Sequence, residues 1–239
     1  GEALRMSIYG KDKLIHHLPL IQKIGREPIA PVHVQLIVAD ICNQACGFCA
    51  YRDESYPSNK LCGDGEGVDR NNNPNRMIPE TKVLEILADA AEMGVKAIQF
   101  TGGGEPTLHP GFPGFLLACH ELGMEFGIVS NGVAWKPLTF ENSRRAAWVR
   151  ISIDAAYSET YCKIRRVSKT HFERACNTVR NRSQAGPVIG VGFVITKDNW
   201  QEIRQGCLLA KELGASNIRL SAVFQSEDER YFADFHQEA

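Results

Sequence analysis

The alternation of short β-branched runs with longer amphipathic segments constrains the fold of this chain most strongly. Segments of helical period, at 80–94, 109–123, 139–147, 170–186 and 199–214, separate the runs from one another. Strands separated by helices predict an α/β fold with a parallel sheet, built as an open partial (β/α)6 barrel or as a doubly wound sheet. Either fold places its chemistry at the carboxyl ends of the strands. The six runs typical of strands are HVQLIVADI (33–41), KAIQFTG (96–102), MEFGIVSNG (124–132), WVRISIDA (148–155), VIGVGFVIT (188–196) and NIRLSAVF (217–224).

The remaining segments flank or interrupt this alternation. We expect residues 33–224 to form one core domain, residues 1–32 to be a leader of weak helical character, and residues 225–239 to begin a C-terminal region. Residues 52–77 are rich in Gly, Asn, Asp and Pro and have no periodicity, which predicts an irregular loop or lid.

Charge and hydropathy exclude several classes of partner. The 27 Lys and Arg residues against 28 Asp and Glu give a net charge of −1, which offers no electrostatic basis for binding nucleic acid or an anionic membrane with the whole chain. No apolar stretch reaches the roughly 18–20 residues needed to cross a bilayer, and the first residues lack the apolar core of a secretory signal. We therefore expect a soluble, cytoplasmic protein.

Three of the eight cysteines, Cys42, Cys46 and Cys49, are crowded into one short segment where the first strand ends. This crowding is poor geometry for separate disulfides and good geometry for one metal centre in a reducing compartment. Three thiolates at this spacing can ligate a [4Fe–4S] cluster and leave one iron open, since such irons require soft sulfur ligands. A zinc site completed by a distant Cys or His, and three structural thiols, are the alternatives.

The other five cysteines are scattered, and we expect them to be small buried apolar residues. Cys62 lies in the irregular segment that follows the cluster, so a role as hydrogen-atom donor or iron ligand is an alternative to an ordinary loop cysteine. The five are Cys62, Cys119, Cys162, Cys176 and Cys207.

The segment C-N-Q-A-C-G-F-C, with Phe48 before its last cysteine, resembles the signature of the radical S-adenosylmethionine (SAM) superfamily. The resemblance extends over residues 33–224. It implies that Cys42, Cys46 and Cys49 hold a [4Fe–4S] cluster and that SAM is bound beside it. Further matches follow in order at the ends of successive predicted strands.

The second predicted strand ends in T-G-G-G-E-P, which resembles a family motif with Gly103, Gly104 and Glu105 in the corresponding places. Glycines let a backbone approach a ligand closely, and a carboxylate suits the cationic amino group of methionine. Ser130 and Asn131 resemble a polar pair that hydrogen-bonds SAM in relatives. Alone, such strand-end residues also serve as turn formers and helix caps.

Two later segments complete the resemblance. Ser152 and Asp154 share one face of the fourth strand by the two-residue period, and with the preceding pair they resemble a ribose and methionine pocket. Arg165, with Arg166 as its competitor, resembles an arginine that pairs with the SAM carboxylate. Apolar residues of the fifth strand, Val194 and Ile195, resemble those that lie against adenine, although a core role would also explain them.

The resemblance implies an enzyme that cleaves SAM reductively to a 5′-deoxyadenosyl radical, which abstracts hydrogen from a peptide, a protein or a small molecule such as a nucleotide. An external one-electron reductant resembling flavodoxin or ferredoxin is the expected partner. The alternatives are an iron–sulfur electron-transfer or sensor protein, and a non-catalytic binding module on the same fold.

Overall fold

A six-stranded parallel sheet forms the centre of the protein, as a computed structural model describes it for residues 17–52, 77–184 and 186–223. The strands follow one another across the sheet in chain order. Within the described ranges β1 and β6 do not pair, so the sheet is open, which confirms the predicted α/β partial barrel. The strands are β1 His33–Ile37, β2 Ala97–Thr101, β3 Glu125–Ser130, β4 Trp148–Ser152, β5 Val188–Ile195 and β6 Asn217–Ala222.

Helices connect the strands, and each predicted helical segment overlaps one of them, although two helices begin one or two residues earlier than predicted. Helix α5 was not predicted, because its eight residues are mostly polar and too few to establish a helical period. None of the helices in the described part of the chain is long and apolar enough to cross a membrane. The helices are α1 Leu18–Ile21, α2 Glu80–Glu92, α3 Phe112–Glu121, α4 Pro137–Asn142, α5 Ser158–Arg165, α6 Lys169–Ser183 and α7 Ile203–Glu212.

The hydrophobic core lies between the sheet and these helices. Phe100, Phe126 and Ile151 point towards the helices and are almost completely buried. Because successive strand residues face opposite sides, their neighbours along each strand lie on the inner face of the open barrel. Burial of one such side chain stabilises the fold by roughly 1.5–3 kcal/mol, which fixes the strand register and with it the positions of the strand ends.

The segment after β1 delivers the cysteines to the carboxyl end of the sheet. Ala39 pairs with Met77 in an isolated antiparallel bridge, and the Ile78 amide donates to the Val38 carbonyl at 3.1 Å. The predicted loop at 52–77 falls almost entirely outside the described residues, as do Cys62 and most of the two predicted terminal regions. The domain boundaries stay predictions.

Candidate active site

An open cavity of about 790 Å³, open solvent at its mouth included, lies at the carboxyl ends of the strands. All the site residues predicted from the sequence line it except Ile195, which by strand alternation faces the opposite side from Val194. Its predicted contact with the adenine of SAM stays a prediction. The predicted residues that line the cavity are Cys42, Cys46, Phe48, Cys49, Gly103, Gly104, Glu105, Ser130, Asn131, Ser152, Asp154, Arg165 and Val194.

The glycine turn after β2 packs directly on the segment that precedes Cys42. A Cβ atom on Gly103 would overlap the Asp40 carboxylate, and one on Gly104 would overlap the Ile41 carbonyl. The Glu105 amide donates to that same Ile41 carbonyl at 2.7 Å. The glycines are therefore needed for close approach of two backbone segments, in addition to any approach of a ligand.

The Glu105 carboxylate joins the ends of β2 and β3. Only 2% of Glu105 is exposed. Its Oε1 accepts hydrogen bonds from the Thr107 amide (3.2 Å), the Thr107 hydroxyl (2.7 Å) and the Ser130 hydroxyl (2.8 Å), and its Oε2 accepts one from the Asn131 amide (2.7 Å). Burial raises the pKa of Glu105, and these donors oppose that rise. Oε2 accepts this one hydrogen bond among the described residues, so it retains capacity for a cationic group.

Ser130 and Asn131 make contacts within the protein. The Ser130 hydroxyl donates to Glu105 and accepts from the indole nitrogen of Trp135 at 2.8 Å. The Asn131 amide nitrogen donates to the Asn43 side chain at 2.6 Å and lies 3.9 Å from the Cys42 sulfur. Asn131 thus positions residues 42–49, which carry the three thiols and are called the cysteine loop below. Direct contact with SAM stays a prediction for both residues.

Arg165 and Asp154 form an ion pair with almost no solvent exposure. Asp154 has a φ of 57°, in the left-handed region, and its Oδ1 accepts a hydrogen bond from the Val194 amide at 2.7 Å. Burial would lower the pKa of Arg165, but the charges of Asp154 and Cys46 outweigh that effect and raise it. Arg165 therefore stays protonated, with a buried positive charge at the cavity wall.

The same arginine anchors the cysteine loop. Its guanidinium donates to the Gln44 side chain and lies 3.9 Å from the Cys46 sulfur, and its Cζ is 5.1 Å from the ring centroid of Tyr161. The Gln44 amide nitrogen donates in turn to the Tyr161 hydroxyl at 2.8 Å. Gln44 and Tyr161 were not predicted as site residues, because only the folded chain brings them together.

The carboxyl end of α5 also holds the loop through its backbone. The amides of Ala45 and Gly47 donate to the carbonyls of Arg165 and Ile164 at 3.1 and 3.0 Å. Arg166, the competing candidate, has a φ of 53° and does not line the cavity. Between the two arginines, the structure places Arg165 at the site.

One donor of Arg165 remains available. Within the described residues, its Nε is buried and has no hydrogen-bond partner. A buried guanidinium nitrogen without a partner is costly, so an anionic ligand group at this wall of the cavity would stabilise it.

Asn199 was also missed, because an Asn in T-K-D-N is typical of a turn. It is 1% exposed, and its amide nitrogen donates to the carbonyls of Asp154 (2.7 Å) and Val194 (2.8 Å). Its Oδ1 accepts from the Thr196 amide at 2.7 Å. Asn199 therefore ties the carboxyl end of β4 to that of β5.

The donor set of the cavity suits a sulfur-ligated cluster. Across the described ranges, no three His, Cys, Asp or Glu side chains gather closely enough to hold a single metal ion, and the zinc alternative, which needs a distant Cys or His, stays open. Three cysteines on the wall of a wider cavity, none of them in a disulfide in the described part of the chain, fit an iron–sulfur cluster. Burial, together with the Glu105 charge, raises the pKa of the Cys42 thiol to about 12, and bound iron would offset this by stabilising the thiolate.

The scattered cysteines behave largely as predicted. Cys119 and Cys176 are buried, and Cys162 and Cys207 are half-buried. Cys62 lies outside the described residues, so its role stays a prediction.

Two curated proteins with related sequences have known roles. The S-adenosylmethionine-dependent nucleotide dehydratase of Flammeovirga pacifica is 28% identical over 165 residues, which are 67% of this chain and 52% of the relative. The mycofactocin maturase MftC of Mycobacterium tuberculosis is 26% identical over 230 residues, which are 92% of this chain and 52% of the relative. The chain thus spans about half the length of these relatives.

Solved structures share the fold. Streptococcus suis SuiB bound to S-adenosylmethionine superposes with a TM-score of 0.67 at 18% identity, over 99% of this chain and 50% of SuiB. SuiB bound to its precursor peptide SuiA gives a TM-score of 0.68 at 17% identity, over 99% of this chain and 52% of SuiB.

The sequence model of the radical SAM superfamily matches residues 36–210. This range includes the cysteine loop and the ends of β2 to β5, which together line the cavity. Because the match extends over more than half of the sequence, the chain belongs to the radical SAM superfamily.

Proposed function

We propose that this chain binds a [4Fe–4S] cluster on Cys42, Cys46 and Cys49 and cleaves SAM reductively within the same cavity. When bound, the cluster supplies one electron to SAM, and the resulting 5′-deoxyadenosyl radical abstracts hydrogen from a substrate. The observation that carries this proposal is that the three thiols line one cavity together with Glu105 and Arg165.

These two charged residues match the charges of the methionine part of SAM. Oε2 of Glu105 accepts a hydrogen bond from the cationic amino group, and the unpartnered Nε of Arg165 donates to the carboxylate. Both side chains are held by other contacts of the protein, so binding requires little ordering of either one. Ser152 and Val194, on neighbouring strands of the same cavity, contact the ribose and the adenine.

The substrate is a peptide, a protein or a small molecule, and an external flavodoxin-like or ferredoxin-like protein supplies the electron. Support for the substrate range comes from relatives whose names describe nucleotide dehydration and maturation of mycofactocin.

Anaerobic reconstitution with iron and sulfide tests the proposed cluster. We expect native protein to take up about four irons per chain, and its electron paramagnetic resonance signal after reduction to change when SAM is added. A C42A/C46A/C49A variant should lose the iron, whereas a C162A/C207A variant should keep it.

Two outcomes would favour the alternatives. A cluster whose electron paramagnetic resonance signal does not change when SAM is added would favour an electron-transfer or sensor protein. A folded native chain that takes up no iron on the triad would favour a non-catalytic binding module.

A further inference from the structure

The amino end of α5 is held by a carboxylate from another part of the chain. Oε2 of Glu202 accepts hydrogen bonds from the Ala156 amide at 2.7 Å and from the Tyr157 amide at 3.3 Å. Its Oε1 accepts a hydrogen bond from the Thr160 hydroxyl, in the first turn of the helix. Glu202 therefore caps a helix to which it does not belong.

Helix α5 depends on such contacts. It has only eight residues, and helices this short are marginal in water without tertiary contacts. Tyr157, which directly precedes it, makes no side-chain capping hydrogen bond with any described residue. A carboxylate beside the amino end is favourable, because the helix dipole places partial positive charge there. Glu202 thus stabilises the start of α5.

The sheet fixes the position of Glu202 in turn. Glu202 ends a 3₁₀ turn, Trp200–Glu202, and directly precedes α7. Its amide donates to the Asn199 carbonyl at 2.9 Å. Since the Asn199 side chain joins the ends of β4 and β5, the carboxylate is tied to the strand ends that form the cavity.

The opposite end of α5 carries parts of the candidate active site. Its last two carbonyls accept the amides of Ala45 and Gly47 in the cysteine loop, and the Arg165 guanidinium lies 3.9 Å from the Cys46 sulfur. Eight helical residues span roughly 12 Å and are joined by their own hydrogen bonds, so they move together. A displacement at the amino end of α5 therefore reaches the cysteine loop.

A second contact between the same two elements is exposed. Lys163 Nζ on α5 lies 2.9 Å from Asp198 Oδ1, and the two side chains are 70% and 37% exposed. Solvent screens such a pair, so it holds the helix only weakly. Asp198 is therefore a matched control for Glu202, because it carries the same charge in the same connection and contacts the same helix.

We propose that Glu202 is a positioning residue of the active site, which fixes the place of α5 and thereby that of the cysteine loop and Arg165. Groups around a reacting centre must be held to well within about 1 Å, so a small shift of α5 would weaken the site without unfolding the chain. The effect on SAM rests on the proposed function, whereas the hold on the cysteine loop does not.

Hydrogen–deuterium exchange in the full chain without its cluster, resolved by nuclear magnetic resonance, tests the hold on the loop. Glu202→Ala should speed exchange of the Ala45 and Gly47 amides about tenfold, because loss of hydrogen bonds to a charged group lets α5 open more often. The amides of β2, which two strands separate from β5, should keep their native rates. Asp198→Ala should leave all these rates unchanged.

Two further variants show whether Glu202 acts through this contact. Glu202→Gln should stay within about threefold of the native rates, because its amide oxygen can still accept from Ala156 and Tyr157 while its amide nitrogen donates to the Thr160 hydroxyl. Thr160→Val removes one donor at nearly the same shape and should give part of the effect of Glu202→Ala. The double variant T160V/E202A should add nothing, since both changes remove the same contact.

After reconstitution, the same variants report on SAM. The SAM concentration that gives half of the change in the electron paramagnetic resonance signal should rise about tenfold in Glu202→Ala. It should stay close to the native value in Glu202→Gln and Asp198→Ala. Iron content should be native in all three, because the cysteines ligate the iron directly. A residue that only stabilises the fold would lower the melting temperature and leave this SAM concentration unchanged.

Four results would overturn the proposal: native exchange rates at Ala45 and Gly47 in Glu202→Ala, an equal increase in β2, an equal effect of Asp198→Ala, or a native response of Glu202→Ala to SAM. The exchange experiment needs neither cluster nor SAM. A native protein whose cluster never responds to SAM would refute the proposed function, and the exchange rates would still decide whether Glu202 holds the loop.

Discussion

At the scale of single residues, Arg165 holds together parts of the site that lie far apart in the sequence. Its guanidinium pairs with Asp154 at the end of β4 and donates to Gln44 in the cysteine loop. The resemblance of the sequence pointed to Arg165 as a contact of SAM, and its burial and its contacts with the loop depend on the folded chain.

Arg165→Gln should lower the free energy of unfolding by about 3 kcal/mol, because it leaves the buried Asp154 carboxylate without its counter-charge. Equilibrium unfolding in urea measures the change. The control, Arg204→Gln on the exposed face of α7, should change stability by less than about 0.5 kcal/mol. Equal stability of the two variants would mean that the ion pair does not hold the loop.

Glu105→Gln should lower the free energy of unfolding by about 2 kcal/mol. The substitution replaces one carboxylate oxygen, which accepts hydrogen bonds, with an NH2 group that would face hydrogen-bond donors. The matched control is Glu85→Gln, which removes an exposed pair with Lys82 worth at most about 1 kcal/mol. If both variants lost the same stability, Glu105 would not be the link between β2 and β3.

At the scale of elements, the strand ends are joined by short connections whose geometry is specific to this fold. The glycine turn packs on the residues before Cys42, and Asn199 joins the ends of β4 and β5. The strands themselves could be predicted from β-branched runs, because their period and their flanking turns are local signals. Helix α5 could not, because it is short and owes its burial to tertiary contacts of Tyr161, Ile164 and Arg165.

Gly104→Ala should destabilise the protein by about 2 kcal/mol, because its new methyl group would overlap the Ile41 backbone. Gly114→Ala is the matched control, and it should stabilise the protein. This glycine lies on the exposed side of α3, where alanine has only an ordinary contact with Glu80, so stability should rise by up to about 1 kcal/mol. Thermal unfolding distinguishes the two, and an unchanged melting temperature for Gly104→Ala would contradict the close approach.

Asn199→Ala should reduce the free energy of unfolding by about 3 kcal/mol, because the buried carbonyl of Asp154 and the partly buried carbonyl of Val194 would both lose their donor. Asn177→Ala, at an exposed position on α6, should change it by less than about 0.5 kcal/mol. Chemical denaturation compares the two variants. A loss below about 1 kcal/mol for Asn199→Ala would show that the two strand ends are held by other contacts.

At the scale of the whole molecule, the parallel sheet brings residues from five strand ends into one cavity. The order of the motifs along the sequence predicted this convergence, because parallel strands in chain order present their carboxyl ends at the same edge.

Chromatographic measurement of 5′-deoxyadenosine tests most directly whether the thiol-lined cavity cleaves SAM. Reconstituted protein is reduced with dithionite under anaerobic conditions and compared with the C42A/C46A/C49A variant. We expect 5′-deoxyadenosine from native protein and from the C162A/C207A control, and none above background from the triple variant. A native protein that assembles its cluster and yet releases no 5′-deoxyadenosine with any of several reductants would contradict the account.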